Sequence, residues 1–380
     1  MSKHPKFILA VMLLFTCLGQ TQATVAAELN IYSHRQPFLI KPFLKAFTEK
    51  TGIKTNVVYA SKGLVQRLLA EGEASPADVV LTVDIGRLRQ YADKNLFATF
   101  ASDKLLAAIP QHLRSSDNTW FGFSKRSRII AVSKNLENQD QIKRFENLAD
   151  KKWRGLVCSR PGSHVYNRAL LSSIIAANGE AGAKAWAEGL VANLARSPRG
   201  NDRAQIKAIH AGECSITIVN HYYYGKLINS SNEEERQWAK SVNIIIPNQG
   251  ENDRGAHINI SGGGIAKYSK NREEAESFLE FLISKEAQTL YASINYEYPV
   301  MSGVELPDTL TAWGKFKEDN LPIEKLADSQ ERLSQEQTLQ WTKETEVAVV
   351  VSNEQNEIAK FNDWDLDIEP HRLKMNTRDL

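Results

Sequence analysis

Short apolar runs alternate with amphipathic segments along the first third of the chain. Leu29 to Ser33 is predicted to be a strand, and Pro37 opens a helix whose apolar positions recur every three or four residues until Gly52. Further strands and helices follow in the same alternation. They are predicted at residues 54–59, 64–73, 78–82 and 87–95. This pattern predicts an open α/β sheet, whose ligands bind at the carboxyl ends of the strands.

A second α/β unit begins after Trp120. Its strands are predicted at 128–133, 156–159 and 215–220, with a helix at 166–178 that Gly179 ends. A later strand at 256–266 and helices at 272–284 and 286–294 then return the chain to the first unit. We therefore predict a hinged clamp of two α/β lobes, in which the chain crosses between the lobes. The first lobe comprises 28–125 and 256–326, the second comprises 126–255, and 327–380 is an extension of unassigned role.

The N-terminus has the pattern of a secretory signal peptide. Basic residues precede an apolar run from Phe7 to Leu18, and a small-residue cleavage site follows at Ala27. The apolar run is shorter than the about 20 residues that a membrane-spanning helix needs. We therefore expect residues 1–27 to be removed and the mature chain to lie in the periplasm. A lipoprotein cleavage box ending at Cys17 is the alternative.

Composition narrows the class of protein. The 380 residues exceed what one hydrophobic core usually serves, so two domains are expected. The formal net charge is only +2 with acids and bases interspersed, which gives no reason to expect a nucleic-acid partner. After signal-peptide cleavage two cysteines remain, Cys158 and Cys214. In an oxidising compartment this pair predicts a disulfide, with two buried free thiols as the alternative.

Three consecutive tyrosines, Tyr222 to Tyr224, follow an apolar strand and precede Gly225. A phenolate is a hard anionic donor that suits a small trivalent cation, and binding must displace a proton from a group with a pKa of about 10. The pattern also fits strand propensity, since tyrosine is common in strands and neighbouring side chains there point to opposite faces. Two neighbours can meet one metal only if the chain leaves strand geometry, and Gly225 predicts such a turn.

Two other predicted strand ends carry candidate site residues. His164 and Tyr166 open a helix, where the helix N-terminus favours an anion or a metal ligand, and simple capping is the alternative. Arg35 and Gln36 follow the first strand. An arginine there can hold an oxyanion through two parallel hydrogen bonds, and a solvated loop charge is the alternative.

Several short motifs occur in an order that is more specific than any one of them. They are YSHRQPF at 32–38, SPADVVLTVD at 75–84, WFGFSKR at 120–126, VYN at 165–167, NHYY at 220–223 and NISG at 259–262. Together they resemble the periplasmic ferric-iron-binding protein family, the substrate-binding proteins of iron(III) ABC transporters with the type 2 periplasmic binding fold. The resemblance runs from about residue 29 to about residue 326.

This resemblance implies a ferric ion held mainly by the second lobe. Tyr222 and Tyr223 match the family's paired phenolate ligands, and Tyr166 matches the third. Tyr224 is then a neighbour outside the coordination shell. The implied protein is a monomeric periplasmic receptor that delivers Fe(III) to a permease in the inner membrane.

The resemblance also implies an anion at the metal. Relatives with a first-lobe histidine or tyrosine ligand have it where this chain has Gln36 and Pro37. The chain is more similar to the subgroup in which a synergistic anion, often carbonate, completes the coordination. Arg35, with help from Gln36, is implied to hold that anion.

The sequence also bears on two function classes other than iron binding. Clamps of this fold also bind phosphate, sulfate or polyamines, so a receptor for a small anion or other solute is the alternative function. A periplasmic hydrolase is disfavoured, because the sequence NISGG at 259–263 lacks the first glycine of the G-x-S-x-G motif. His164, His210, His221 and His257 also lack the spacing of a zinc-binding pair. We therefore expect that the protein is not an enzyme.

Overall fold

The computed structural model describes residues 27–326 as a mixed α/β protein. The strands are β1 (Glu28–Ser33), β2 (Lys54–Tyr59), β3 (Val79–Thr82), β4 (Phe121–Ser133), β5 (Val157–Cys158), β6 (Ile216–Asn220), β7 (Val242–Ile245), β8 (Ile258–Ile265) and β9 (Tyr298–Pro299). The helices are α1 (Pro37–Thr51), α2 (Leu64–Glu71), α3 (Ile85–Ala92), α4 (Asp103–Ala108), α5 (Val165–Ala192), α6 (Asp202–His210), α7 (His221–Ile228), α8 (Glu233–Lys240), α9 (Arg272–Leu282), α10 (Lys285–Ser293) and α11 (Asp308–Thr311). The predicted signal peptide up to residue 26 and the extension 327–380 lie outside the described residues.

One long strand, β4, belongs to two sheets. Along the order β2-β1-β3-β8-β4-β6-β5, β1 pairs in parallel with β2 and β3, and β8 returns antiparallel to β3. β4 pairs with β8 up to Ser127 and with β6 and β7 from Arg128 onward. The chain therefore passes from the first lobe to the second between these two residues. The predicted α/β class with two lobes is confirmed, and hinge motion between the lobes stays a prediction.

Helix α1 has the apolar periodicity and the terminal residues from which it was predicted. Pro37 occupies its first turn, where its fixed φ suits a helix start, and Ile40, Phe43 and Phe47 form the buried face. Gly52 ends the helix in the left-handed conformation with φ 76°, and its N–H donates to the Thr48 carbonyl at 2.8 Å.

Helix α5 differs from its predicted end. Gly179 does interrupt it, with φ 70° and ψ 171°, but helical structure resumes and continues to Ala192. The second part buries Trp186, whose indole N–H donates to the Phe145 carbonyl at 2.8 Å. A glycine ends a helix only where tertiary packing does not stabilise the turns that follow it. Here the packing of Trp186 stabilises those turns. Within residues 27–326, the helices include none with the length and apolar character of a membrane span.

The glycine run in β8 allows unusually close strand contacts. A Cβ at Gly262 would lie 2.4 Å from the Phe121 carbonyl oxygen on β4, and a Cβ at Gly263 would lie 2.4 Å from that of Val80 on β3. These separations exclude any larger residue without backbone movement. The sequence NISGG at 259–263 therefore has a packing explanation.

Each lobe has its own apolar core. The first-lobe core is rich in fully buried aromatic side chains, which include Tyr32, Phe43, Phe47, Tyr91, Phe121, Phe123 and Phe278. In the second lobe, alternate residues of β4 face opposite sides of the sheet. Ile130 and Val132 pack into one cluster, and Ile129 and Ala131 pack into another. Both faces of this sheet, which includes β6, are thus covered by apolar side chains.

The structure joins Cys158 and Cys214 by a disulfide within the second lobe. Cys158 is the last residue of β5, and Cys214 lies just before β6, which runs parallel to β5. The bond therefore fixes two neighbouring strands whose carboxyl ends lead to Arg160 and Asn220.

We predict that replacing both cysteines, in Cys158→Ala/Cys214→Ala, lowers the free energy of unfolding by about 4 kcal/mol, because the bond closes a loop of this length in the unfolded chain. The two cysteines are 56 residues apart. Urea unfolding of the two proteins measures the difference. Intact-mass analysis without reductant is the control, and two alkylatable thiols in freshly isolated native protein would contradict the bond.

Candidate metal centre

The tyrosine sequence begins where a buried strand becomes a helix. β6 ends at Asn220, and α7 begins at His221, so Tyr222 and Tyr223 lie in the first helical turn. The predicted strand-to-helix turn is present, but it lies at Asn220 and His221, and Gly225 is inside α7. Successive side chains in a helix diverge by about 100° rather than 180°, which allows two neighbours to reach one side.

The three candidate ligands lie together. The Tyr222 hydroxyl donates to the Tyr166 hydroxyl at 3.1 Å, and the rings of Tyr222 and Tyr223 have centroids 4.4 Å apart. Tyr166 reaches the cluster from the first turn of α5, which His164 caps by accepting a hydrogen bond from the Tyr166 N–H at 3.2 Å. Tyr224 instead packs against the second-lobe core, and its ring lies 5.9 Å from that of Trp313.

Tyr222 is strongly biased toward its neutral form without a metal. Burial raises its pKa well above the ordinary value, and the negative charges that Tyr166 and Tyr223 would carry raise it further, while Arg126 opposes the shift. The Asn220 side-chain amide also donates to the Tyr222 hydroxyl at 3.2 Å. A strong cation is therefore needed to displace the proton of this phenol at neutral pH.

Three arginines surround the Tyr166 ring. The guanidinium carbons lie 5.1 Å from the ring centroid for Arg160, 5.3 Å for Arg126 and 6.0 Å for Arg128. All three side chains are buried. Guanidinium groups over an aromatic face attract its electrons, and desolvation strengthens that attraction. This arrangement fixes the ring of Tyr166 and makes its surroundings positive.

One fully buried carboxylate organises two of these arginines. Asp202 accepts from Arg128 at 2.8 Å, from Arg160 at 2.9 Å and from the Asn220 backbone N–H at 2.7 Å. Asn220 immediately precedes the tyrosine helix. Arg128 also donates to the Asn167 side chain at 2.8 Å, next to Tyr166. Asp202 therefore connects both tyrosine-bearing helices through hydrogen bonds.

The third arginine connects to the first lobe. Arg126 lies on β4 and pairs with Asp84 at 3.3 Å, and the Asn259 side chain donates to the same carboxylate at 2.9 Å. Asp84 caps α3 at the carboxyl end of β3, the cleft position expected from the strand order. Burial raises its pKa, although the positive charge of Arg126 opposes the shift.

Arg35 also lies in the first lobe, at the end of β1. Only 3% of its surface is exposed, so the alternative of a solvated loop charge is wrong. One terminal nitrogen donates to both oxygens of Glu297, at 2.8 and 3.0 Å, and the other terminal nitrogen is buried without a hydrogen-bond partner. Burial lowers the pKa of Arg35, but the Glu297 carboxylate outweighs it, so the pKa is raised.

The remaining candidates border this cluster. Gln36 precedes α1 and is half-buried. The ring of His164 meets that of Tyr166 edge-on at 4.6 Å, and desolvation with the nearby Arg160 charge lowers the His164 pKa well below its ordinary value. His164 is therefore neutral at pH 7. Among residues 27–326, histidine, cysteine and carboxylate side chains form no group of three or more that could hold a metal.

The buried charged network around the tyrosines was not predicted from the sequence, and it comprises Asp84, Arg126, Arg128, Arg160, Asp202 and Glu297. A signal was present in β4, where Arg126 and Arg128 are two residues apart beside an apolar run. Arginines at that spacing share one face of a strand, and their burial requires partner carboxylates. The partner carboxylates themselves are far from Arg126 and Arg128 along the chain.

Known proteins similar to this chain include extracellular solute-binding proteins. The family described as bacterial extracellular solute-binding protein matches residues 43–318. Iron uptake protein A1 of Synechocystis sp. is 40% identical over 326 residues, which cover 84% of this chain and 90% of that protein.

Two solved structures extend the similarity to the fold. The apo ferric ion-binding protein A of Pasteurella haemolytica is 42% identical with a TM-score of 0.77, and the match covers 84% of this chain and 98% of that chain. The Trichodesmium protein (IdiA, FutA) in complex with iron and citrate ligands is 39% identical with a TM-score of 0.77, over 84% and 99% of the two chains.

We predict that Asp202→Asn destabilises the protein by about 3–5 kcal/mol, because it leaves two buried arginines without their shared anion. Thermal or urea unfolding of the apo protein measures the loss. Asp140→Asn is the matched control, since Asp140 is exposed, and we expect a change within about 0.5 kcal/mol. Equal stability of the two variants would show that Asp202 has no such role.

Proposed function

Because this chain belongs to the bacterial extracellular solute-binding protein family, we propose that it is a periplasmic receptor for ferric iron. Tyr166, Tyr222 and Tyr223 bind Fe(III) as phenolates, and the protein delivers the ion to the permease of an ABC transporter. Its role is binding and transport rather than catalysis, in keeping with the iron uptake and ferric ion-binding relatives. Iron is the cargo of this site.

The observation that carries the proposal is the contact among three phenols, of which Tyr222 is buried and the other two are half-buried, beside several buried arginines. The hydroxyls of Tyr166 and Tyr222 are 3.1 Å apart, and the ring of Tyr223 lies against that of Tyr222. The cation–π contacts of the arginines account for the position of the Tyr166 ring, and the convergence of Tyr222 and Tyr223 on it supplies a set of three phenol oxygens for a cation. Hard, anionic oxygen donors suit a trivalent ion, and three phenolates balance its three charges.

An anion completes the proposed coordination. Four buried arginines, with three buried carboxylates among them, leave one excess positive charge around the tyrosines. Three phenolates neutralise the ferric ion and leave this excess unchanged, so a small oxyanion is favoured beside the metal. The unpartnered terminal nitrogen of Arg35 supplies a donor for it, with Gln36 next to it. We propose carbonate, and the citrate in the Trichodesmium structure is the competing candidate.

The two-lobe arrangement supports binding and release. The tyrosines lie in the second lobe, and Arg35 lies in the first lobe across the cleft from them. Rotation of the lobes about β4 would separate the anion from the tyrosines and open the iron to solvent. The receptor acts as a monomer in this proposal, and its partner is the inner-membrane permease.

We predict that iron-loaded protein has a visible phenolate-to-iron charge-transfer band, and that Tyr222→Phe/Tyr223→Phe loses both the band and the bound iron. Absorbance spectroscopy and metal analysis measure these quantities. Tyr224→Phe is the matched control, because Tyr224 packs in the core, and it is expected to keep the band. A double variant that stays coloured and loaded with iron would falsify the ligand assignment.

We expect the band to fade as pH falls. The raised pKa of Tyr222 means that the iron-free protein holds this phenol proton up to high pH, and metal binding must release it. Lower pH therefore favours the proton over the metal. A titration at fixed total iron, with released iron captured by a chelator, measures the effect. A band that strengthens on acidification contradicts phenolate binding.

We further predict that Arg35→Lys weakens iron binding about tenfold or more in bicarbonate buffer and little in bicarbonate-free buffer. Lysine keeps the charge opposite Glu297, but it lacks the second terminal nitrogen that Arg35 leaves available for an oxyanion. Competition against a chelator in both buffers gives the affinities. Equal loss in both buffers, or no loss in either, counts against the anion role.

A further inference from the structure

Three consecutive residues, Tyr296 to Tyr298, contact both lobes beside the candidate metal centre. We call this segment the 296–298 bridge. Its first two residues lie between α10 and β9 and Tyr298 begins β9, so the segment is outside the elements that carry the proposed ligands. Each of its three side chains has a different partner, and together those partners belong to both halves of the site.

Tyr296 packs directly on the tyrosine helix. A Cβ added to Gly225 of α7 would lie 2.9 Å from Cγ and 3.0 Å from Cβ of Tyr296, so the absence of a side chain at Gly225 makes room for this contact. Tyr296 has φ 55°, a left-handed conformation that bulky residues rarely adopt. Within residues 27–326 the other non-glycine residues at positive φ are all asparagines. A tyrosine with a strained backbone conformation and closely packed neighbours is typical of a functional constraint.

Glu297 holds the first-lobe arginine. Its carboxylate accepts from Arg35 at 2.8 and 3.0 Å and from the Ser124 hydroxyl on β4. Only 5% of Glu297 is exposed, so this ion pair is desolvated and its geometry is well defined. The pair engages one terminal nitrogen of Arg35 and leaves the other without a protein partner. Glu297 therefore determines where the guanidinium points.

Tyr298 completes the bridge on the second lobe. Its ring stacks on His221 with centroids 4.7 Å apart and an interplanar angle of 27°. His221 begins the tyrosine helix and accepts a hydrogen bond from the Ser127 N–H at 3.1 Å, at the point where β4 changes sheets. Tyr298 also pairs with Lys125 of β4 as part of β9.

We propose that the 296–298 bridge is a positioning element that sets the first-lobe Arg35 against the second-lobe tyrosines. The inference rests on the proposed function, since it assigns the bridge a role in joining the anion to the iron. The bridge touches neither the metal nor the anion. It acts through Arg35 on one side and through α7 on the other. The guanidinium of Arg35 and the tyrosines of α7 are thereby kept at a fixed separation.

The measured quantity is the bicarbonate response, the ratio of iron affinity with bicarbonate to that without it. Gly225→Ala forces the bridge away from α7. We expect the response, about tenfold or more in the wild type, to fall toward one while tyrosine-based binding without bicarbonate persists. Gly182→Ala is the matched control, because its Cβ meets the exposed Asn178 at a similar 3.0 Å far from the site, and it should keep the wild-type response.

The double variant Gly225→Ala/Tyr296→Gly removes the clash and is expected to recover most of the response, which a general disturbance of α7 would not allow. A Gly225→Ala protein with an unchanged bicarbonate response contradicts the positioning role of the 296–298 bridge. Equal loss of affinity in both buffers overturns it too, since the alanine then acts on the tyrosines alone.

Tyr298→Leu tests the same inference independently and decides it if Gly225→Ala does not fold. It removes the ring stacked on His221 and keeps an apolar side chain, so the bicarbonate response should again fall. A folded Tyr298→Leu protein with the wild-type response contradicts the proposal. A wild-type protein without an iron band refutes the proposed function itself, whereas failure of the bridge alone leaves the wild-type band and response intact.

Discussion

The candidate site depends on one fully buried carboxylate, that of Asp202. Two arginines and a backbone N–H converge on it, and each leads to a different part of the second lobe. Arg128 comes from the strand shared by both sheets, and Arg160 comes from the strand end next to the disulfide. A charge removed from water is costly unless it is paired and hydrogen-bonded, so these groups have little freedom to move separately. The tyrosine side chains are restricted in the same way, because Tyr166 lies against the arginines and Tyr222 follows Asn220.

A site for a trivalent cation that is surrounded by arginines is at first sight unfavourable. In the proposed binding the difficulty disappears once proton release is considered, because the phenols would start neutral and become negative only as the metal binds. The arginines then face phenolates rather than a bare cation, and the buried carboxylates keep their total charge small. Under the proposed function, the negative charge that would bind the metal is neutralised by protons on the tyrosines until the metal arrives, so the iron-free site can be buried without unpaired phenolates. Preformed carboxylates in the same place would repel one another.

Local patterns predicted much of the fold and part of the site. The helix from Pro37 to Thr51 followed from its apolar spacing and its terminal residues, and the order of short motifs singled out three tyrosines that lie together in the structure. The strand-to-helix turn was predicted, but not its position, since a glycine after a strand suggests a turn, whereas Gly225 lies inside α7 and makes room for Tyr296. The carboxylate partners could not be predicted, because Arg35 and Glu297 are 262 positions apart. Such pairs depend on tertiary contacts that periodicity does not contain.

The passage of β4 through both sheets has a consequence for how the chain folds. The second lobe is inserted within the first, so the central pairing of β3 with β8, such as Val79 with Ile265, must close a loop that contains an entire lobe. Loop closure over so many residues is slow and entropically costly while the loop is unstructured. Compaction of the inserted lobe shortens that loop and brings its two ends together at neighbouring strands. We therefore expect the lobe that carries the tyrosines to become ordered first, and the sheet that carries Arg35 to be completed around it.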